Sequence, residues 1–554
     1  MIPTATLLPV DLRAVAEHSG GVTFLDSREV TGELTYADLA LRARGATGAL
    51  RDRELRPGAR VLLPLPTGPE YLIALLGCLA GGFVPCTVPP PIRPEDPGST
   101  GMRQFRAALE AVVPDAVVMA GPPPAGLSGG GPPFLDTTDL AHPPVPEDSL
   151  PAAGPDTLHH IQLTSGSTSA PRAAVLTHGQ VAASLSANLG ALEPLTPHER
   201  ILHWLPLHHD MGFVLTLTAL HAGLPLDLMP SIAFLRDPLS WLRHISRRGA
   251  TVTAAPPFGY RAAAERSRRA PVAGLDLSSL RQAYVGAEPI PFSVLSAFQE
   301  EFAGRGLAED VLIPCYGMAE TVLASTMSLG TTPSGELGWG RVRAVRLDRE
   351  ALRENRAVEA RERAPALTSV ACGRPVSGLS VEIRTPEGRL CAEGEVGEIV
   401  LSGDSVMAGY LGPGGRPVPV PGGRHASGDL GFLRNGELHV VGRVKEMLVV
   451  RGKNLPPYDV EAAVESHPDV AAGAAAVFSC TDDDGEYVVA VVESRHGPAG
   501  SGTLREEIAA LVRGAFGFTP REVVVVRRGR IPRTTSGKRQ RAGLRDAYLR
   551  GELL

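Results

Sequence analysis

LTSGSTSAPRAAVLTH, residues 163–178, carries six hydroxyl side chains, five of them around one glycine ahead of an apolar stretch. Thr164, Ser165, Gly166, Ser167 and Thr168 offer hydroxyls and exposed backbone N–H groups, a combination that wraps a polyphosphate without fixed positive charge. No GxxxxGKS/T pattern is present, so this is not a Walker loop. Taken alone, a Ser/Thr-rich turn is more often plain loop, and its meaning depends on its surroundings. Val181, Leu185, Leu189 and Leu192 follow at helical spacing, so a helix is expected directly after it.

Outward from that loop, short β runs alternate with helical periodicity. ARVLLPL (59–65) and DAVVMAG (115–121) read as strands. ATVTAAPPF (250–258) and LRQAYVGAEPI (280–290) read as strands leading into loops, where α/β sheets place their ligands. YLIALLGCLAGGFVPCTV (71–88) is long enough on paper to span a bilayer, but Gly81, Gly82 and Pro85 break it. A buried helix over 71–79 running into a buried strand over 83–88 is expected instead. After about residue 444 the character changes. GELHVVGR and EMLVVRG (436–452) read as paired strands, an Asp-Gly turn precedes a strand in TDDDGEYVVAVVES (481–494), and Thr503 with Glu506 reads as a capping box. The expected fold class is α/β, with a large N-terminal domain over 1–444 and a smaller α+β domain over 445–554.

At 554 residues the chain exceeds one ordinary core. A net charge of −6, from 54 basic and 60 acidic residues, argues against a general nucleic-acid binder. Six scattered cysteines form no metal-type or disulfide-type cluster, which favours a reducing compartment and a cytoplasmic location. The N-terminus lacks a basic region ahead of an apolar run, so no signal peptide is expected. Lysine occurs only as Lys445, Lys453 and Lys538, all in the last quarter. Such a bias favours lysine where a compact, flexible ammonium cannot be replaced by a guanidinium fork, with accidental survival as the alternative.

The loop does not stand alone. HWLPLHHDMGF (203–213), VGAEPI (285–290), CYGMAET (315–321), GEIVLSGDSVMAGY (397–410), SGDLGFL (427–433), GRVKEMLVVRGKN (442–454) and PRTTSGK (532–538) follow it in order. With LTSGSTSAPRAAVLTH they resemble, over nearly the whole chain, the adenylate-forming superfamily of acyl-CoA synthetases, luciferases and peptide-synthetase adenylation domains. LPLHHDMG, FLRDPLSWLRHIS and RGKNLPPYDVE look most like its fatty acyl-AMP ligases.

That resemblance implies ATP-dependent activation of an apolar carboxylic acid to acyl-AMP with loss of pyrophosphate, then transfer to a carrier-protein phosphopantetheine or CoA thiol. It implies ATP and Mg²⁺ as cofactors, while the net charge and the broken apolar segment already argue against nucleic acid and membrane insertion as partners. A carboxylate attacking an anionic triphosphate needs positioning and charge neutralisation. By resemblance Lys538 bridges carboxylate and α-phosphate; otherwise it is a solvated charge in RTTSGKRQR. Glu320 holds Mg²⁺ with Thr164 nearby, as carboxylate oxygen suits a hard cation. Asp429 and Arg443 serve the ribose, and Tyr316 faces adenine opposite Gly286 and Ala287. Glu288, Gly317, Met318 and Thr321 complete the nucleotide site. His209, Pro257, Phe258, Gly286 and Met318 border the acyl group, and Lys445 is the hinge. Ser169, Arg172 and Ala173 depart from the usual glycine, lysine and glycine, which puts the mobility of the phosphate loop in question.

Two further readings stay open. Asp210 would suit an amino-acid-activating enzyme, and the altered loop would suit a non-adenylating paralogue used for regulation or assembly. Residues 347–363, LDREALRENRAVEARER, resemble an extra segment of fatty acyl-AMP ligases that hinders rotation of the small domain, or form a solvated helix.

Overall fold

A computed structural model describes residues 11–124, 127, 131–164, 171–192, 195–196, 198–362, 364, 366–412, 415–450, 453–482, 485–494, 502–533 and 539–553. Two large sheets carry most of the chain. The first has eight strands, in the order Pro417–Pro419, Gly409–Leu411, Arg172–Thr177, Leu158–Thr164, Val84–Thr87, Arg60–Leu63, Ala116–Met119, Phe134–Asp136. The second has nine, with Leu312–Gly317, Gln282–Val285, Val252–Ala255, Ile201–His203, Leu226–Leu228 and Gly21–Leu25 running parallel through its centre. Strands such as Val84–Thr87, Val252–Ala255 and Gln282–Val285 are buried at every residue. Parallel strands covered on both faces take such continuous burial, which is why these segments read as apolar runs.

Residues 71–88 form a helix, Pro69–Ala80, buried from Tyr71 to Leu79, and the buried strand Val84–Thr87. Among the described residues no helix is long and apolar enough to cross a membrane. The helix expected after the hydroxyl-rich loop is His178–Leu192.

A four-stranded antiparallel sheet, Leu379–Arg384, Gly397–Gly403, Arg424–Arg434 and Glu437–Arg443, follows. The smaller C-terminal domain has a three-stranded sheet, Val470–Asp482, Gly485–Ser494 and Glu522–Val526, with helices Pro457–Val464, Gly502–Phe516 and Arg541–Leu549. Its core packs Val460, Val477, Val492, Ile508 and Val525.

Three local expectations need correction. Glu437–Arg443 does not pair with the strand after it: it pairs with Arg424–Arg434, while Leu448–Val450 pairs with Lys453–Leu455. Strand Val252–Ala255 leads straight into helix Pro257–Arg269, because Pro256 stops the strand and Pro257 suits a first helical turn. Thr503 lies inside helix Gly502–Phe516 rather than capping it.

Candidate active site

A cavity of about 1260 Å³ lies between the large sheets, the antiparallel sheet and the C-terminal domain. One wall comes from strand Leu312–Gly317, which delivers Tyr316 at its end. The Tyr316 hydroxyl donates to Asp429 Oδ2 at 2.9 Å, and Arg443 Nε donates to Asp429 Oδ1 at 2.8 Å. Asp429 and Arg443 are partners across the hairpin of Arg424–Arg434 and Glu437–Arg443, so strand register alone brings them together. Beside this buried carboxylate the Arg443 guanidinium is held further into its charged range. Burial, and then the Asp429 charge, push the Tyr316 hydroxyl well above its ordinary value. Each carboxylate oxygen keeps a lone pair beyond the bond it accepts, enough for a pair of vicinal hydroxyls.

The turn after Tyr316 is strained. A Cβ at Gly317 would lie 1.9 Å from the Leu323 carbonyl oxygen, so this position has room only for glycine. Val322 sits at φ 67°, ψ −56°, and Leu323 N–H donates to Thr321 O at 2.8 Å across it, a classic γ-turn on a β-branched residue. Strain of this kind costs on the order of 1–3 kcal/mol and persists where packing over-determines it. Here it presents Glu320 to the cavity. Ala287 also takes positive φ, 68°, after Gly286, whose missing side chain lets the chain approach Cys315.

A second polar cluster surrounds Glu320. Tyr410 donates its hydroxyl to Glu320 Oε1 at 2.6 Å, and the Arg172 guanidinium lies 3.4 Å above the Tyr410 ring. Arg172 pairs with Thr164 across the antiparallel strands that enclose the hydroxyl-rich loop. Burial, followed by the Glu320 charge, raises the Tyr410 hydroxyl. Burial lowers His425, whose ring centroid is 6.3 Å from that of Tyr410. Among the described residues no group of three or more His, Cys, Asp or Glu could hold a metal ion. One carboxylate beside a hydroxyl fits Mg²⁺, which normally keeps water and phosphate oxygens as its other ligands.

Of the residues singled out from sequence, Thr164, His209, Pro257, Phe258, Ala287, Glu288, Tyr316, Gly317, Met318, Glu320, Asp429, Arg443 and Lys445 line this one cavity. Gly286 does not line it, and Thr321 is fully buried with its hydroxyl bonded to Met318 O, Leu323 O and Ser325 within the turn. Ser165, Gly166, Ser167, Thr168, Ser169 and Lys538 lie outside the described residues. Arg533 and Arg539, on either side of residues 534–538, both line the cavity. Asp210 Oδ1 accepts from Met211 N–H at 2.7 Å, at the start of helix Asp210–Ala222.

Sequence reasoning gave no role to Tyr410 or His425. Tyr410 closes one of the motifs, but only folding sets it against Glu320, 90 residues away. Lys445 lies in the short turn Val444–Glu446 between strands Glu437–Arg443 and Leu448–Val450. The segment 347–363 is not one helix: a strand ends at Asp348 and the short helix Arg349–Arg353 follows. Its Arg349 Nη2 donates to Asp459 Oδ1 at 2.7 Å in the C-terminal domain and lies 4.8 Å over the Phe516 ring, while Arg353 Nη2 reaches Phe516 O at 3.1 Å.

Residues 12–411 match the family model for the AMP-binding enzyme, and residues 459–538 match the AMP-binding enzyme C-terminal domain. The chain belongs to the AMP-binding enzyme family. It is 31% identical to the medium-chain-fatty-acid–[acyl-carrier-protein] ligase JamA of Moorena producens, over 96% of this chain and 92% of that one. It is 30% identical to the long-chain-fatty-acid–AMP ligase FadD32 of Mycolicibacterium smegmatis, over 95% of this chain and 90% of that one. A solved structure from work on the fatty acyl-adenylate ligases of E. coli and L. pneumophila superposes with a TM-score of 0.87 at 31% identity, covering 99% of both chains.

Proposed function

We propose that this protein is an acyl-AMP ligase: it joins an apolar carboxylic acid to ATP as acyl-AMP, releases pyrophosphate and passes the acyl group to a phosphopantetheine thiol. One observation carries the reading. A single cavity holds the Tyr316–Asp429–Arg443 and Glu320–Tyr410–Arg172 clusters together with apolar walls from Met211, Leu215, Ala254, Leu323 and Met327.

In the first step a carboxylate oxygen attacks the α-phosphorus, the bond to the bridging oxygen breaks and pyrophosphate leaves. Asp429 takes the ribose hydroxyls, oriented by Tyr316 and Arg443, and Ala287 and Glu288 lie where the base enters. Arg172, fixed by its stack on Tyr410, supplies positive charge beside the phosphates. Glu320 and Thr164 are the residues that would hold Mg²⁺, which when bound offsets charge on the departing pyrophosphate. Lys538 bridges carboxylate and α-phosphate, and a compact ammonium suits that place better than a fork. In the second step the thiol sulfur attacks the acyl carbon and AMP leaves with the bonding electrons.

The domains divide at the turn carrying Lys445, with residues 1–444 and 445–554 as the two bodies. Because the contacts of Arg349 and Arg353 tie the small domain down, a carrier protein rather than free CoA is the favoured acceptor. The test is direct: with ATP, Mg²⁺ and a panel of carboxylic acids, acyl-AMP should appear by mass spectrometry. Lys538→Ala should nearly abolish it in a single turnover. A wild-type rate in that variant would remove Lys538 from the mechanism.

A further inference from the structure

The apolar part of the cavity ends in polar groups that the adenylation chemistry does not use. Asn188 lines it from helix His178–Leu192 and Tyr284 from strand Gln282–Val285, and Leu192 and Leu215 line it as well. Asn188 and Tyr284 are each only 8% exposed. The Tyr284 hydroxyl donates to Gln282 Oε1 at 2.6 Å, and Gln282 Nε2 donates to Ala191 O at 2.9 Å, so the phenol oxygen is fixed in place with lone pairs to spare. Among the described residues Asn188 makes one long hydrogen bond, Nδ2 to Thr218 Oγ1 at 3.5 Å. A carboxamide has two donors and two lone pairs, so Asn188 keeps hydrogen-bonding capacity beyond that one bond.

The depth of this polar end follows from the backbone. Helix Asp210–Ala222 lines the cavity at Asp210, Met211 and Leu215, and Thr218 lies about 12 Å along its axis from Asp210. Along the neighbouring strand Gln282 lies four residues behind Gly286, about 13 Å. Both elements therefore carry the polar groups back from residues that line the cavity at their near ends, Asp210 and Ala287. None of Asn188, Leu192, Leu215, Thr218, Gln282 and Tyr284 is itself charged, and the Arg341 guanidinium acts on Tyr284 from nearby.

We infer that the acid this enzyme takes carries a hydroxyl at the end remote from its carboxylate, alcohol or phenol, donating to Tyr284 Oη and accepting from Asn188 Nδ2. The inference rests on the acyl-AMP ligase reading and specifies its substrate class. A pocket built to pair a hydroxyl discriminates against the analogue that lacks it, because its own polar groups are then left unpaired.

The experiment measures ATP-dependent pyrophosphate release with ω-hydroxy alkanoic acids against plain acids of equal length, and p-hydroxyphenyl alkanoic acids against their phenyl counterparts. At the best length the hydroxylated acid should lead in kcat/KM by about tenfold or more. Tyr284→Phe and Asn188→Leu should each cut that ratio by roughly tenfold. A ratio between two substrates of one preparation does not depend on the fraction folded. Preference for plain acids at every length, or a ratio that neither variant moves, would overturn the inference while leaving the ligase reading intact. Absence of acyl-AMP from every acid, plain or hydroxylated, would overturn both.

Discussion

Replacing Arg349 by alanine should free the small domain and change what accepts the acyl group. The side chains of Arg349 and Asp459 are 20% and 7% exposed, joined at 2.7 Å, and the guanidinium also stacks on Phe516. Breaking a buried pair costs about 3–5 kcal/mol, and with one-fifth of the arginine in solvent roughly 2 kcal/mol is the appropriate figure. That is roughly a 30-fold shift in the docking equilibrium. If about 1% of intact molecules are undocked, roughly a quarter of the variant is. On the proposed reading, in which transfer to CoA requires the domain to rotate, that transfer should then rise by roughly 10- to 30-fold, while single-turnover acyl-AMP formation falls by less than about twofold. Transfer to CoA and to a holo carrier protein would be followed by chromatography for wild type, Arg349→Ala, Asp459→Asn and the double variant. Because the two residues touch, their effects should be strongly non-additive. Unchanged CoA transfer in all three variants, or additive effects, would show that this contact does not restrain the domain.

Two other outcomes follow from the buried groups. Burial lowers His160 and His203 to about 3 and His178 and His208 to about 4, and puts His159 well below the usual histidine value. Their folded pKa values lie below the unfolded 6.5, so their neutral burial costs nothing above pH 6.5 and stability falls as pH drops from 6.5 toward 4. Each adds up to about 1.4 kcal/mol per pH unit in that window. Denaturant unfolding at stepped pH should therefore show a steep loss below pH 6.5, and a flat profile down to pH 5 would contradict the burial of these rings. Gly317→Ala places a Cβ against the Leu323 carbonyl, so it should lower stability by about 1–3 kcal/mol and raise the KM for ATP together, read by thermal melting and pyrophosphate release. A stable variant with normal KM would mean that the turn before Glu320 relaxes freely.

The sequence alone grouped several residues that meet in the cavity. Tyr316 and Glu320 fall in one short motif, and Asp429 and Arg443 are two strands of one hairpin, so local chain geometry suffices to bring each set together. Buried strands and the helix Pro69–Ala80 were legible for the same reason, because periodicity and continuous apolar runs are local signals. Strand partners over 436–452 were not, since pairing depends on which distant edge is free, and the hydrophobic pattern is the same whichever partner is chosen. Thr321 matched a motif, yet its hydroxyl serves the turn that carries Glu320. Three features were decided only by the tertiary structure: Tyr410 against Glu320, the polar end built by Asn188 and Tyr284, and the contact of Arg349 with Asp459 across the domains. Each joins side chains 90 to 110 residues apart. Their meeting is set by how whole sheets and helices pack, and no spacing along the chain records that.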